Sequence, residues 1–282
     1  MKAIILNLSA WVMLPIMDGF AKYLSSTLPV LQITWSRYFF TVVIALPIML
    51  IFFRKNLTWT EQPRLQLIRG LLLFCANVLF FYSISIISLA KALTLAFIAP
   101  LIVTVLSPVL LGEKVGLRRW VAVIIGFIGS LIVIRPGFVE INLASIAALG
   151  TGVLYGFYLI VTRKLHNSDH PLLTLLLTGV VGAILGTMIM PAVWVQPTIT
   201  EWYMMFAIGF FASIGHLFLI LSLRYADASK LAPFSYFEIV TNIIIGFYFF
   251  NHFPDNWTFL GLFIIISTGI YIFRREVQIK SS

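Results

Sequence analysis

Ten long apolar stretches, joined by short polar connections, fill almost the whole of this 282-residue chain. A helix needs about 20 mainly apolar residues to cross the hydrocarbon core of a membrane, and these stretches reach or approach that length. Each is an unbroken run, whereas the strands of a membrane β-barrel alternate apolar and polar side chains over about ten residues. The sequence therefore predicts an all-α integral membrane protein with ten transmembrane helices. Their approximate limits are 3–24, 30–53, 68–88, 92–111, 120–135, 143–163, 171–194, 202–223, 231–250 and 257–273.

The composition agrees with a lipid environment. Hydrophobic residues make up 61% of the chain and charged residues only 10%, with a mean hydropathy of +1.04. Soluble domains carry about 25% charged residues, so this chain has too little polar surface for a water-soluble fold. The net charge of +9 could suggest a nucleic-acid partner, but the charges follow the membrane topology instead. We therefore expect the lipid bilayer, and no nucleic acid, as the partner of this surface.

The basic residues mark one side of the predicted membrane. Of 19 Lys and Arg residues, 15 lie at the termini or at alternate connections, and only Lys91 and Arg135 lie at the other connections. Cytoplasmic loops carry an excess of Lys and Arg, so both termini are predicted to be cytoplasmic, with the chain spanning a bacterial cytoplasmic membrane many times. The 15 residues are Lys2, Arg54, Lys55, Arg64, Arg69, Lys114, Arg118, Arg119, Arg163, Lys164, Arg224, Lys230, Arg274, Arg275 and Lys280.

The chain also repeats itself. A shift of about 139 residues places Gly70 on Gly209 and Lys91 on Lys230. We interpret residues 1–140 and 141–282 as two five-helix repeats. Because five is an odd number, two like halves must insert with opposite orientations, which is the inverted repeat typical of alternating-access carriers.

Five ionisable residues lie inside the predicted helices, away from their ends: Asp18, Lys22, Arg37, His216 and Glu238. Such groups are costly inside a bilayer and usually functional. At about 1.5 Å of rise per residue, Asp18 and Arg37 reach similar depths from opposite membrane faces, which would allow an ion pair. The alternative is that Arg37 only neutralises Asp18 and fixes the second helix to the first.

Glu238 and His216 are also predicted to lie at comparable depths, where both could line one cavity. A membrane carboxylate near a histidine could relay a proton, or the two could form a hydrogen-bonded packing pair without changing charge. Prolines at 100, 108 and 233 predict irregular helices that expose carbonyls to that cavity. The candidate substrate- or coupling-site residues are Asp18, Arg37, Asn77, Tyr82, Tyr155, Tyr158, His216, Tyr236 and Glu238.

Motifs for enzymatic chemistry are missing from the sequence. It contains no His-Glu-x-x-His, no Gly-x-Ser-x-Gly and no nucleotide-binding loop. We therefore expect no catalytic residue, no metal site and no cofactor, and primary active transport by this chain alone is excluded.

Five motifs are spread over nearly the whole chain. They are Asp18-Gly-Phe-Ala-Lys22, Pro29-Val-Leu-Gln with Trp35 and Arg37, Ala99-Pro100-Leu101, Gly112-Glu113-Lys114, and Ala232-Pro233-Phe-Ser-Tyr-Phe-Glu238. Together they resemble an EamA-type member of the drug/metabolite transporter superfamily. The chain departs from the family pattern at Asn251-His252, where the second half would have Gly-Glu, and at Ile239, where proline often follows the glutamate. The resemblance implies a ten-helix fold of two inverted repeats around a cavity lined mainly by helices 1, 3, 4, 6, 8 and 9.

The interpretation that follows is a secondary transporter that moves a small polar metabolite by alternating access. The family resemblance implies amino acids, nucleotides, cofactors such as S-adenosylmethionine, or xenobiotics as substrates, and the sequence does not choose among them. Two alternatives stay open: a membrane-embedded enzyme or lipid flippase, and a non-transporting membrane assembly subunit. Whether the chain forms a homodimer is also open.

Overall fold

The computed structural model describes residues 1–134 and 142–250, together with eight helical positions between 256 and 267. Its regular structure up to residue 250 consists of eleven α-helices and two short 3-10 segments, Arg54–Asn56 and Ala232–Tyr236. Most of the predicted tenth helix, 257–273, lies outside the described residues. The α-helices are α1 Lys2–Leu24, α2 Val30–Phe52, α3 Pro63–Ile86, α4 Leu89–Ala96, α5 Ile98–Leu111, α6 Leu117–Ile134, α7 Leu143–Lys164, α8 Pro171–Val193, α9 Ile199–Tyr225, α10 Ala228–Leu231 and α11 Phe237–Phe250.

Eight segments of the described chain are long and apolar enough to cross a membrane. The all-α, multi-pass membrane class predicted from the sequence is therefore confirmed. These segments are Lys2–Leu24, Val30–Phe52, Pro63–Ile86, Lys91–Leu111, Leu143–Lys164, Pro171–Val193, Ile199–Tyr225 and Ala228–Phe250.

Local chemistry sets where the helices begin and end. Prolines 63 and 171 occupy the first positions of α3 and α8, where a missing N–H costs no helical hydrogen bond. Thr198 and Glu201 form a reciprocal capping box at the start of α9, which satisfies two otherwise unpaired backbone N–H groups. After α5 the backbone turns at Gly112, whose φ of 67° is the left-handed conformation that glycine adopts without strain.

Two of the spans are broken near their middle. The first divides into α4 and α5 at Phe97, and the second passes from α10 through the 3-10 segment Ala232–Tyr236 into α11. Pro100 lies in the first turn of α5, where proline is tolerated, while Pro108 remains inside α5. The predicted irregularity is confirmed for both spans, although Pro108 does not interrupt its helix.

Close helix packing occurs where the sequence has glycines four residues apart in α8. A Cβ at Gly182 would collide with the ring of Tyr38, and one at Gly186 would come within 2.9 Å of the Trp35 ring. Glycine therefore lets α8 lie directly on the aromatic face of α2. Around this contact α1 packs on α9 and α3 packs on α7, so the described helices enclose a common interior.

Candidate functional site

A cavity of about 650 Å³ lies at the centre of the helix bundle. Its wall comes from α1, α3, α7 and α9 and from the two broken spans, which places both helix breaks beside it. They correspond to transmembrane helices 1, 3, 4, 6, 8 and 9 of the sequence prediction, which are the helices that the family resemblance implied.

Two carboxylates face this cavity. Asp18 projects from α1 with only 3% of its surface exposed, and Glu238 projects from the first turn of α11. Within the described residues, neither side-chain carboxylate accepts a hydrogen bond, and neither forms an ion pair within 4.0 Å. A buried carboxylate without a protein partner is costly, so the site is suited to a ligand or proton that satisfies it.

Arg37 does not form the predicted ion pair with Asp18. Its Nη2 instead contacts His216 Nε2 at 2.6 Å, and its Nε donates to Met17 Sδ at 3.3 Å. The packing of α9 against both α1 and α2 explains the difference, because it brings His216 alongside the guanidinium. The prediction that His216 and Glu238 line one cavity is confirmed, although His216 is bonded to Arg37 and not to a carboxylate.

A chain of hydrogen bonds joins two buried arginines. Because Arg37 can only donate, His216 Nε2 must accept and Nδ1 must carry the proton directed at Tyr158 Oη, 3.0 Å away. Tyr158 Oη also accepts a hydrogen bond from Arg69 Nη2 at 2.7 Å. His216 is thereby held as a neutral ring between the two cations.

Arg69 is the functional candidate that sequence reasoning missed. It was counted with the cytoplasmic loop charges because it is only the second residue of the predicted stretch 68–88, whereas α3 begins five residues before that stretch, at Pro63. Arg69 is fully buried and donates to Thr162 Oγ1, the Thr174 carbonyl oxygen, Thr178 Oγ1 and Tyr158 Oη. The proline that starts the helix six residues earlier was the signal that could have placed it.

The other predicted site residues divide between the cavity and the packing around it. Asn77 and Tyr155 line the cavity, and Tyr155 Oη is buried without a partner in the described chain. Tyr236 is directed away, since its hydroxyl donates to the Val123 carbonyl and its ring packs on Phe97. Tyr82 lies outside this cavity.

Aromatic side chains form much of the cavity wall. Trp11 and Tyr155 meet edge to face with centroids 6.4 Å apart, and Tyr155 stacks on Tyr158 at 5.3 Å. Phe80 and Phe97 complete the apolar surface. Such rings offer stacking faces for a planar group and π surfaces for a cation.

A polar cluster joins two connections and the last turn of α7 at one end of the bundle. Glu113, which follows α5, accepts hydrogen bonds from the backbone N–H groups of Ala228 at 2.9 Å and Ser229 at 3.0 Å. Arg163 contacts Glu113 at 3.2 Å and Asp227 at 2.9 Å. Burial raises the pKa of Glu113, but the hydrogen bonds from Ser229, Ala228 and Arg163 outweigh it and hold this pKa below its usual value.

In the part of the chain that the structure describes, no group of three His, Cys, Asp or Glu side chains could hold a metal ion.

Comparison with known proteins gives one family over both halves of the chain. A model described as the EamA-like transporter family matches residues 1–135 and 142–274. A crystal structure of a protein shares the fold with a TM-score of 0.77 at 18% identity, covering 94% of both chains.

Three relatives that align with this chain over nearly their full length are named as transporters. The chain is 28% identical over 265 residues to an S-adenosylmethionine uptake transporter of Rickettsia prowazekii (strain Madrid E), covering 94% of this chain and 90% of the relative. It is 25% identical to a riboflavin transporter of Vibrio cholerae, with 96% and 92% covered. It is 26% identical to a pseudopaline exporter of Pseudomonas aeruginosa (strain UCBPP-PA14), with 93% and 92% covered.

Proposed function

Because the chain belongs to the EamA-like transporter family, and is therefore a transporter of small metabolites and not an enzyme, we propose that it works by alternating access at the central cavity. The observation that carries this proposal is a cavity between the helices whose two carboxylates, Asp18 and Glu238, lack protein partners in the described chain. Binding sites of such carriers lie between their repeats, near the bilayer midplane.

Two inverted five-helix repeats, with a tenth helix after residue 256, form the architecture of this mechanism. Such a repeat relates α1 to α7, α2 to α8 and α3 to α9. It therefore carries the contact of α1 with α9 onto the contact of α7 with α3, and α2 meets its own counterpart, α8, at the symmetry axis. The helix breaks also correspond, because a shift of 139 residues carries Phe97 onto Tyr236. These two rings touch, with centroids 5.3 Å apart, where the broken spans face each other.

The cluster around Glu113 closes the cavity on one side in this mechanism. It joins the first repeat to the start of α10 in the second, so opening that end requires its hydrogen bonds to break. The excess of basic residues in the loops supports a cytoplasmic position for this end and for both termini, in the cytoplasmic membrane of a bacterium.

S-adenosylmethionine is the first substrate to test. The relative at 28% identity is named for its uptake, and the cavity here combines carboxylates with aromatic rings. A sulfonium cation fits beside Asp18 and Glu238, and an adenine ring fits against Trp11 and Tyr155. Riboflavin is the second candidate, because the same aromatic wall could stack its ring system.

The test is uptake of radiolabelled S-adenosylmethionine into liposomes that contain only this chain. We expect saturable uptake that excess unlabelled compound abolishes, and riboflavin is assayed in parallel. Movement of solute by the chain alone also separates a carrier from a membrane assembly subunit, and a fluorescent-lipid assay in the same liposomes tests for a flippase. Failure to move either solute would overturn this substrate assignment.

A further inference from the structure

A second, much smaller cavity lies next to the main one, on the other side of His216. His216 lines both cavities, so the two spaces share a wall. The smaller cavity is lined by Arg37 and Arg69, whereas the main cavity is lined by Asp18 and Glu238. The buried charges of the site are therefore segregated by sign.

The two arginines have only neutral partners. Neither guanidinium lies within 4.0 Å of a carboxylate in the described chain, and their acceptors are hydroxyl groups, a carbonyl, a thioether and an imidazole. Arg37 and Arg69 are 2% and 0% exposed. Burying a charge without a counter-ion costs several kcal/mol, so an anion arriving at this cavity would relieve a cost already present in the fold.

Arg37 still has donors to offer. Its Nε and Nη2 are used by Met17 and His216, and its Cζ lies 4.7 Å from the centre of the Tyr38 ring, which leaves further N–H groups of the guanidinium for a ligand. A guanidinium presents its donors as a planar fork that matches the two oxygens of a carboxylate. Arg69 adds positive charge behind it and is itself held in place by Tyr158, Thr162 and Thr178.

We propose that Arg37, supported by Arg69, forms a carboxylate subsite, so that the transported solute is a zwitterion with its cationic end toward Asp18 and Glu238. The inference rests on the proposed transport function and narrows its substrate class. A purely cationic solute would leave both arginines without a counter-ion. A purely anionic solute would leave both carboxylates without one. A zwitterion satisfies both sets at once, with neutral His216 between them.

The experiment compares ligands that differ only in the carboxylate. The purified chain in lipid nanodiscs is titrated with S-adenosylmethionine and its decarboxylated form, and with a panel of L-amino acids and their carboxamides, using the thermal midpoint as readout. Losing the carboxylate is expected to weaken binding to the wild type about 10- to 100-fold, since hydrogen bonds between charged groups contribute about 1.5–3 kcal/mol.

Three variants locate the effect. In Arg37→Gln, the carboxylate and carboxamide forms should bind about equally, and Arg37→Lys should recover part of the preference because it restores the charge. Arg64→Gln is the matched control, since it removes an exposed arginine from the same helix as Arg69 and should behave as the wild type.

The outcomes separate the two proposals. If S-adenosylmethionine binds as tightly without its carboxylate, the subsite is wrong while the transport assignment stands. If S-adenosylmethionine does not bind, but an L-amino acid binds and its carboxamide does not, then the substrate assignment is wrong and the subsite stands. If no carboxylate in either set stabilises the wild type, the subsite is overturned, whatever the variants do.

Discussion

Glu238 is the residue on which the transport mechanism can be tested most directly. Its carboxylate faces the main cavity without a protein partner in the described chain, so neutralising it should not disturb packing. We expect Glu238→Gln to express and fold as the wild type but to lose about tenfold or more of its transport, because a charged contact to the solute is removed. Liposome uptake measured from pH 5.5 to 8.5 tests this expectation.

The control for that variant is Glu61→Gln, which makes the same change at an exposed glutamate before α3. Transport by the control should equal that of the wild type. Wild-type rates at every pH in the Glu238 variant would instead make Glu238 a packing residue.

At the residue scale, the sequence was a better guide to which side chains are buried than to which side chains contact each other. Depth along each helix placed Glu238 and His216 in one cavity, and the structure agrees. Depth says nothing about the direction in which a side chain points around its helix axis, so it could not show that Arg37 meets His216 instead of Asp18. Arg69 was missed for a related reason, since a polar residue near a helix end reads as loop until the helix start is known.

Between elements, the contact of α2 with α8 depends on the lack of a side chain at Gly182. A methyl group there would meet the Tyr38 ring, and that ring is anchored because its hydroxyl accepts a hydrogen bond from Asn77 at 2.9 Å. We expect Gly182→Ala to destabilise the fold by about 1–3 kcal/mol, the usual cost of overpacking. The thermal midpoint in detergent should fall.

Gly246→Ala is the matched control, because a Cβ at Gly246 in α11 would have no atom within 4 Å. Its midpoint should stay the same or rise, since alanine favours a helix over glycine. An equal fall in both variants would show that the close approach at Gly182 is not what matters.

The connections that meet at Glu113 should make one end of the bundle sensitive to acid. The folded-state pKa of Glu113 is held below its ordinary value of 4.5, so its stabilising contacts are fully present above pH 4.5 and are lost as the pH falls through the lower folded value. The wild type should therefore exceed Glu113→Gln in thermal midpoint at neutral pH, and the difference should shrink below pH 4.5.

The comparison variant is Lys114→Gln, which changes the exposed neighbouring side chain. Its midpoint should follow the wild type at each pH. A wild-type advantage over Glu113→Gln that stays constant down to pH 3 would contradict the assigned contacts.

The element boundaries show where sequence patterns stop being informative. Hydrophobicity predicted the spans of α1, α2, α7 and α8 to within a few residues, because each is one continuous apolar helix. It could not predict the break at Phe97, since both halves of that span are equally apolar. Pro100 predicted an irregular helix in this span but not the residue at which it breaks. The break corresponds in sequence to the 3-10 segment of the second half, where Tyr236 packs on Phe97.

For the whole molecule, the membrane orientation is predicted from the loop charges. With buried Arg69 left out, fourteen basic residues lie on one predicted side and two on the other, which predicts cytoplasmic termini. Single cysteines in a Cys75→Ser background test this, since the natural Cys75 is exposed. Ser26, between α1 and α2, and Gly116, between α5 and α6, are both exposed and lie at opposite predicted sides.

We expect a membrane-impermeant maleimide added to intact cells to label Ser26→Cys and to leave Gly116→Cys unlabelled until the cells are permeabilised. Lys55→Cys, exposed between α2 and α3, should behave like Gly116→Cys, because the two positions lie on the same predicted side. The pairing of Lys55 with Gly116 also tests the count of spans, since α3 and the broken α4–α5 span must return the chain to the side it left. Strong labelling of both from outside, with none at Ser26, would invert the orientation. Labelling of only one of the two would mean that these helices do not form two complete crossings.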